Sequence, residues 1–181
     1  METKAIRTLE LEAVLERLAS HAAFSASKEA ALALRPSTGI DEARVRQAGT
    51  SEARLLLSVN ESMSVGGARD VRPEIEAARR DAVLEPHQLL DVQHTLISAR
   101  TIRRYFEKAE EHYPVLFAIA EDLAVDTGLI DTISKTLDER GNVLDSASQA
   151  LANTRSQLRI AHDRLTTKLQ KIISSKKVAP I

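Results

Sequence analysis

Residues 137–158 read LDERGNVLDSASQALANTRSQL, a polar turn followed at once by the start of a helix. Gly141 adopts a positive φ at little cost, and Asp and Asn are typical turn residues, so we predict a turn over residues 138–142. Val143 and Leu144 then make a short apolar link. The stretch therefore predicts that one helix ends and another begins within about ten residues.

The second of these helices is predicted to be long. Ser146 and Gln149 have the three-residue spacing of a capping box, and Asp145 adds a negative charge where the helix dipole favours one. No proline follows until Pro180. We therefore predict a helix over residues 147–174, about 42 Å in length.

The same helix carries leucine or isoleucine every seven residues, which is the spacing of one line in a coiled-coil seam. The companion positions three and four residues later are mostly polar, so a symmetric zipper would be weak. The pattern nevertheless predicts that this helix needs a partner helix, and we expect a homodimer, antiparallel along it. The predicted seam consists of Leu151, Leu158, Leu165, Leu169 and Ile172.

Charge is distributed unevenly along the chain. Residues 151–181 contain seven Lys or Arg and a single acid, Asp163, a net charge of +6; since the whole chain carries −1, residues 1–150 carry −7. Two explanations fit this division into an acidic body and a basic arm. One is an ordinary solvated helix face, and the other is contact with nucleic-acid phosphates.

Composition favours an all-α fold. The 181 residues are 43% hydrophobic but only 3% aromatic, which predicts a core of Leu, Ile, Val and Ala. Six Gly and five Pro are too few for a turn-rich β-sandwich. The chain has no Cys, no apolar run of membrane-spanning length and no signal-peptide pattern at its start, so we expect a cytoplasmic protein without disulfides.

The remaining segments predict a bundle of shorter helices ahead of the long one. Pro86 and Pro114 are each placed to open a helix, and Pro36 ends one before it. Any β-pairing is expected only near residues 60–72 and 139–145. Two of these helices have a predicted inner line. One line is Val45, Ala48, Glu52, Leu55 and Val59, with Glu52 the polar exception, and the other, further along the chain, is Ile130, Ile133 and Leu137.

No stretch of the sequence predicts a catalytic or metal site. Gly66 and Gly67 lack the Lys-Ser or Lys-Thr of a phosphate loop and are best explained as a turn. His87 and His94 share a helix face with Asp91, but a metal site needs three or four ordered ligands. We therefore predict no catalytic residue, no cofactor-binding residue and no metal ligand in these 181 residues.

Four cations on one predicted helix allow two interpretations. Arg100, Arg104 and Lys108 are spaced at i, i+4 and i+8, with Arg103 adjacent. This spacing suits contact with phosphates, and it equally suits the outer face of a bundle helix.

Several stretches together resemble the MutS superfamily, and specifically its second bacterial subfamily, whose full-length members end in a Smr domain. The resemblance covers essentially the whole chain, although Ser27 stands where the family pattern has Gly. In that family a lever helix ends in a Gly-containing turn, and an acidic cap then starts a long clamp helix. The stretches are TLELEAVLERLASHA at 8–22, ALRPST at 33–38, SEARLLL at 51–57, GGARDVRP at 66–73 and DERGNVLDSAS at 138–148.

The resemblance implies a division at residue 145. Residues 1–145 would be the N-terminal helical lever, and residues 146–181 would be the outgoing clamp helix, cut before its antiparallel return. The lever transmits conformational change, and the clamp helix contacts nucleic-acid phosphates. The implied phosphate contacts are Arg155, Arg159, Arg164, Lys168 and Lys171.

The resemblance also implies a parent protein that is a homodimeric, DNA-binding ATPase and endonuclease. Such proteins suppress homologous recombination and split collided ribosomes, so DNA, the ribosome or both are the implied partners. ATP and Mg²⁺ would bind outside these 181 residues, and the fragment itself would not be catalytic. The competing hypothesis is a stand-alone helical adaptor that binds a partner helix through the seam at residues 151, 158, 165 and 172.

Overall fold

The computed structural model describes residues 8–60, 63 and 65–174. In this part of the chain the regular structure is helical, as predicted, and an isolated antiparallel bridge between Leu137 and Val143 is its only β-pairing. Lys176, Lys177 and Pro180 lie outside the described residues. The α-helices are α1 (Leu11–Ser20), α2 (Ser25–Leu32), α3 (Ile40–Val59), α4 (Arg72–Ala78), α5 (Pro86–Ala109), α6 (Pro114–Glu121), α7 (Thr127–Thr136) and α8 (Gln149–Ile173), with a 3₁₀ turn at Asp145–Ala147.

The chain divides into two compact units, residues 1–130 and residues 131–181. Helices α1 to α6 belong to the first unit, and α8 belongs to the second. The predicted division at residue 145 lies inside the second unit and stays a prediction. Within the described ranges, no helix combines the length and the apolar character needed to cross a bilayer.

Aromatic side chains concentrate in the core of the first unit. One buried cluster consists of Leu56 of α3, Phe106 of α5, Ala120 of α6 and Tyr113, which directly precedes α6. The rings of Phe106 and Tyr113 meet edge to face, with centroids 6.2 Å apart. The expected aliphatic core is confirmed in the main, since Phe106 and Tyr113 are the only aromatics among the described buried hydrophobic residues. The few aromatics are gathered where α3, α5 and α6 pack together.

Helix α3 meets the start of α6 through a glycine and a carboxylate. A Cβ at Gly49 would lie 3.2 Å from Val115 Cγ1, so the absence of a side chain allows close approach. One turn further along, the Glu52 carboxylate accepts hydrogen bonds from the backbone N–H of Val115, at 3.2 Å, and of Leu116, at 2.9 Å. Glu52 therefore caps the N-terminus of α6, whose first N–H groups have no partner within the helix.

The inward face predicted for α3 is not the buried one. Val45, Leu55 and Val59 are exposed, Val59 by 75%, and Leu56 is the buried residue of the helix. The helix is rotated so that Gly49, Glu52 and Leu56 point toward α6. The predicted inner line Ile130, Ile133 and Leu137 is confirmed, since all three side chains are buried.

The loop GGARDVRP, residues 66–73, is held against α5 by hydroxyl groups. Ser98 Oγ donates to the Gly66 carbonyl at 3.3 Å, and Thr95 Oγ1 accepts from the Arg69 N–H at 2.9 Å. Gly67 has a φ of 96°, which explains a glycine at this turn. Both contacts anchor the loop backbone to one helix, in keeping with the prediction that these glycines form a turn.

Arg72 connects this loop to α2. Its guanidinium pairs with Asp70 at 2.6 Å and with Glu29 of α2 at 2.8 Å, while Ser25 Oγ donates to Asp70 at 2.6 Å. The hydrogen bonds from Arg72 and Ser25 hold the pKa of the Asp70 carboxyl well below its usual value, and the Arg72 guanidinium also lowers the pKa of Glu29. The network ties the N-terminus of α2 to the start of α4.

We predict that this network makes folding sensitive to acid. A carboxyl whose folded-state pKa is depressed stabilises the fold above its unfolded pKa of about 4, and that contribution is lost as pH falls through the lower, folded pKa. Arg72→Gln should bring the pKa values of Asp70 and Glu29 back toward their unfolded values. Circular dichroism follows urea unfolding of each chain at about pH 7 and about pH 3. The midpoints at the two pH values should differ less from each other in Arg72→Gln than in the unsubstituted 181-residue chain, which we call the parent chain.

Arg79→Gln is the matched control, because Arg79, directly after α4, pairs with Glu76 of that helix and with no other carboxylate that the structure describes. It should keep the acid dependence of the parent chain. If Arg72→Gln and Arg79→Gln change that dependence equally, the Asp70 network is not its source.

Candidate nucleic-acid interface and partner seam

The turn that precedes α8 is closed by a single carboxylate. Asp138 Oδ1 accepts from the N–H groups of Arg140 and Asn142, both at 2.8 Å, and Oδ2 accepts from Asn142 Nδ2 at 2.9 Å. These bonds, that from the Asn142 side chain foremost, lower the pKa of Asp138. Gly141 has a φ of 80°, so the predicted turn and the reason for its glycine are confirmed.

The chain leaving this turn folds back along the end of α7. The Leu144 N–H donates to the Thr136 carbonyl at 2.8 Å and the Asp138 N–H donates to the Asn142 carbonyl at 3.0 Å, and these two bonds form the bridge between Leu137 and Val143. Ser146 Oγ then donates to the Lys135 carbonyl at 2.7 Å. Three successive attachments therefore join the last turn of α7 to the segment from which α8 begins.

Ser148, and not Ser146, caps α8. Ser148 Oγ accepts from the Leu151 N–H at 3.1 Å, and the helix begins at Gln149. The predicted capping box of Ser146 with Gln149 is wrong, because the Ser146 hydroxyl is bound to Lys135 and the Gln149 side chain donates to Asn153. The sequence offers two serines two residues apart, and the acceptor on α7 decides between them.

Arg155 closes the base of α8. Its Nη1 atom donates to the Val143 carbonyl at 2.8 Å and to Asp145 Oδ1 at 2.6 Å. The second turn of the helix is thereby bound to the link that precedes it. The assignment of Arg155 to phosphate contact stays a prediction, and Asp145 competes with phosphate for the same guanidinium.

The other four predicted phosphate contacts form no ion pair in the described part of the chain, and all four are exposed. At about 100° per residue, Arg164, Lys168 and Lys171 fall within about 60° of one another on one flank of α8. Arg159 lies on the opposite flank. Asp163 is the only acid between Gln149 and Ile173, so the helix presents a clear excess of positive charge.

The predicted seam is exposed along most of its length. Leu151 is partly buried near the base, whereas Leu158 is 70% exposed and Leu165, Leu169 and Ile172 are each at least half exposed. No residue of α8 is buried. The seam and the flank of Arg164, Lys168 and Lys171 are separated by roughly 110° around the helix, so a partner helix and a phosphate backbone would occupy different faces.

The structure does not support a metal site at His87, Asp91 and His94. Asp91 lies 3.9 Å from Arg69 in an ion pair, and its carbonyl accepts from Thr95. Across the described residues, no group of three or more His, Asp and Glu side chains is arranged to hold a metal ion. Two sites went unrecognised in the sequence, Glu52 at the start of α6 and the Arg72 network, because both depend on groups far apart along the chain.

Comparison with known proteins finds relatives over nearly the whole chain. It is 37% identical over 173 residues to a protein named Endonuclease MutS2 from Symbiobacterium thermophilum, a match covering 96% of this chain and 22% of that protein. Proteins of the same name from Pelotomaculum thermopropionicum and a Geobacillus species are 34% and 33% identical over 97% of the chain. No family model matches. The chain thus spans about 22% of the length of these relatives, and the matches support a MutS2-type family.

Proposed function

We propose that this chain is the N-terminal lever and outgoing clamp helix of a MutS2-type protein. The curated relatives support the family, and their names describe them as endonucleases. In this proposal residues 1–145 form the lever and residues 146–181 belong to the clamp arm. The lever transmits conformational change to α8, and α8 contacts nucleic-acid phosphates.

The base of α8 is the observation that carries the mechanical part of this proposal. The fold-back at residues 142–146 binds the end of α7 through three contacts, and Arg155 binds the second turn of α8 to the same segment. A helix attached in this way follows the direction of α7 instead of pivoting freely. Movement of α7 is therefore passed to the arm as a change of its direction.

Exposure and charge support the phosphate-binding part. Arg164, Lys168 and Lys171 have no carboxylate partner among the described residues, and they share one flank of a helix that has no buried residue. Fixed cations along one line attract a phosphate backbone and release its condensed counterions. The chemistry is the same for duplex DNA and for ribosomal RNA, so both are proposed partners of the whole protein.

For the whole protein we propose a cytoplasmic homodimer that acts as a DNA-binding ATPase and endonuclease, suppresses homologous recombination, and senses and splits collided ribosomes. ATP and Mg²⁺ would bind in segments beyond these residues. The 181-residue chain itself would position α8 and transmit conformational change to it, without catalysing hydrolysis of ATP or nucleic acid.

Charge removal on one flank of α8 tests the phosphate contacts. We predict that the variant Arg164→Gln, Lys168→Gln, Lys171→Gln binds labelled duplexes of about 30 base pairs at least about tenfold more weakly than the parent chain at low salt. The slope of log K against log salt should fall in magnitude by about 2 to 3, since each lost phosphate contact removes about 0.9. Fluorescence anisotropy with DNA and RNA duplexes measures both quantities.

Two controls make this result specific. Arg17→Gln, Arg44→Gln, Arg54→Gln removes the same charge from α1 and α3 and should leave the salt slope nearly unchanged. Arg155→Gln should weaken binding less than Arg164→Gln, because the Arg155 guanidinium is already bound to Asp145. Equal losses from the α8 triple variant and the body control would mean that only net charge matters, and the phosphate assignment would fail.

The exposed seam favours a second candidate, a helical adaptor that binds a partner helix through Leu151, Leu158, Leu165 and Ile172. The two candidates differ in what lies beyond residue 181. A natural reading frame that continues into a G-x-x-x-x-G-K-[ST] phosphate loop would exclude the stand-alone adaptor.

A further inference from the structure

Helix α5 of the first unit carries a second line of unpaired cations. Arg100 is partly buried, and Arg104 and Lys108 are exposed. None of the three forms an ion pair with any residue that the structure describes. They are spaced four residues apart, so they lie along one side of the helix over a rise of about 12 Å.

Most of the other arginines that the structure describes in this unit pair with a carboxylate; Arg17, Arg35, Arg54 and Arg80 do not. On the same helix Arg103 pairs with Glu107 at 3.2 Å, the i, i+4 arrangement that neutralises a surface charge. Like charges at the same spacing destabilise a helix by a few tenths of a kcal/mol per pair. Arg100, Arg104 and Lys108 keep this unfavourable arrangement in a chain whose first 150 residues carry −7. Carboxylate partners hold five other arginines of the unit: Arg44, Arg46, Arg69, Arg72 and Arg79.

The surroundings of the line suit phosphate better than protein. No large apolar side chain of α5 is exposed, whereas the centre of a protein interface needs aromatic or aliphatic anchors. Thr101, between Arg100 and Arg104, is exposed and polar. One strand of a duplex presents a phosphate about every 3.4 Å along its axis, so a line of about 12 Å spans roughly three phosphates.

We propose that Arg100, Arg104 and Lys108 form a phosphate-binding line on the helical body, separate from the cations of α8, that takes a nucleic-acid backbone. The line contributes affinity without sequence preference, because phosphate contacts position a duplex but do not distinguish bases. It adds a nucleic-acid contact to a unit that the proposed function treats only as a mechanical element.

The triple variant Arg100→Gln, Arg104→Gln, Lys108→Gln tests the line, with anisotropy titrations of DNA duplexes of about 30 base pairs. Gln preserves helix propensity, and circular dichroism verifies that helicity is retained. We expect at least about tenfold weaker binding at low salt and a slope of log K against log salt reduced by about 2 to 3. The control Arg17→Gln, Arg44→Gln, Arg54→Gln removes equal charge from α1 and α3 and should change the slope by less than one.

The outcomes distinguish this inference from the proposed function. Loss of binding in the α8 triple variant with none in the α5 variant would leave the proposed function intact and refute the line. Loss in the α5 variant alone would support the line and refute the α8 assignment. If the α5 variant loses affinity for labelled polyglutamate and not for duplex, the line recognises acidic protein, and the inference is wrong. Absence of duplex binding by the parent chain also overturns it.

Discussion

Replacing Leu158 and Leu165 with Glu should convert a self-associating chain into a monomer. Both side chains are more than half exposed on a helix that has no buried residue. Burial of each leucine against a partner helix contributes roughly 1.5–3 kcal/mol, and an antiparallel dimer would bury two from each copy. Loss of these four contacts is expected to weaken association by at least about a thousandfold. Light scattering and sedimentation velocity measure the change in mass.

Salt separates this association from phosphate binding. α8 carries five cations and one acid, so two copies repel each other electrostatically while their apolar seams attract. Screening should therefore strengthen self-association and weaken duplex binding. A monomeric parent chain would remove the homodimer hypothesis for this helix.

The matched control for the seam is Ile160→Glu. Ile160 is about half exposed on α8 but lies on the side away from the seam. The variant Ile160→Glu should leave the oligomeric mass unchanged, whereas the double variant Leu158→Glu, Leu165→Glu should lower that mass. If the double variant retains the mass of the parent, the copies associate through the body and the seam assignment is wrong.

The sequence predicted the elements whose determinants are close together along the chain. Pro86 and Pro114 begin α5 and α6 as expected, because proline at the first helical position is favoured by its fixed φ. Gly141 adopts the positive φ that the turn requires. The base of α8 was only partly predictable, since Ser146 binds a carbonyl of α7 and leaves the cap to Ser148.

The face of α3 could not be predicted for a related reason. The predicted line Val45, Ala48, Glu52, Leu55 and Val59 has regular helical spacing with Glu52 as its polar exception, yet Val59 is 75% exposed. What orients the helix is the start of α6, more than 60 residues away, whose free N–H groups lie against Glu52. The need of α6 for a hydrogen-bond acceptor at its N-terminus therefore determines which face of α3 is buried. The spacing of apolar residues along α3 does not reveal that need.

The phosphate contacts illustrate a different limit. The charge distribution left two explanations open, and the family resemblance implied one role, phosphate contact, for all five cations of α8. The fold separates them, because Arg155 is bound at the helix base while Arg164, Lys168 and Lys171 share an open flank. Pairing is a property of the folded chain, since Arg155 finds its partner Asp145 in the segment that precedes the helix.

Glu52→Leu should destabilise the protein although it completes the apolar line of α3. Leucine would remove the carboxylate that accepts from Val115 and Leu116 and leave two N–H groups at the start of α6 without their acceptor. Loss of such a cap costs about 2 kcal/mol, and for a chain of this size each kcal/mol lowers Tm by about 2–4 °C. We therefore expect Tm to fall by about 4–8 °C in calorimetry.

Glu52→Gln and Arg54→Leu locate the cause of that loss. Gln keeps one acceptor oxygen, so Glu52→Gln should retain about half of the stabilisation that the Glu52 cap provides, because a neutral amide oxygen accepts a weaker hydrogen bond than a carboxylate. Arg54→Leu places the same new leucine on an exposed position of α3 and should change Tm by no more than about 2 °C. A higher Tm for Glu52→Leu than for the parent chain would mean that the apolar line is the true inner face, because added burial would then exceed the lost cap. The buried position of Leu56 and the close approach of Gly49 to Val115 both argue for the opposite sign.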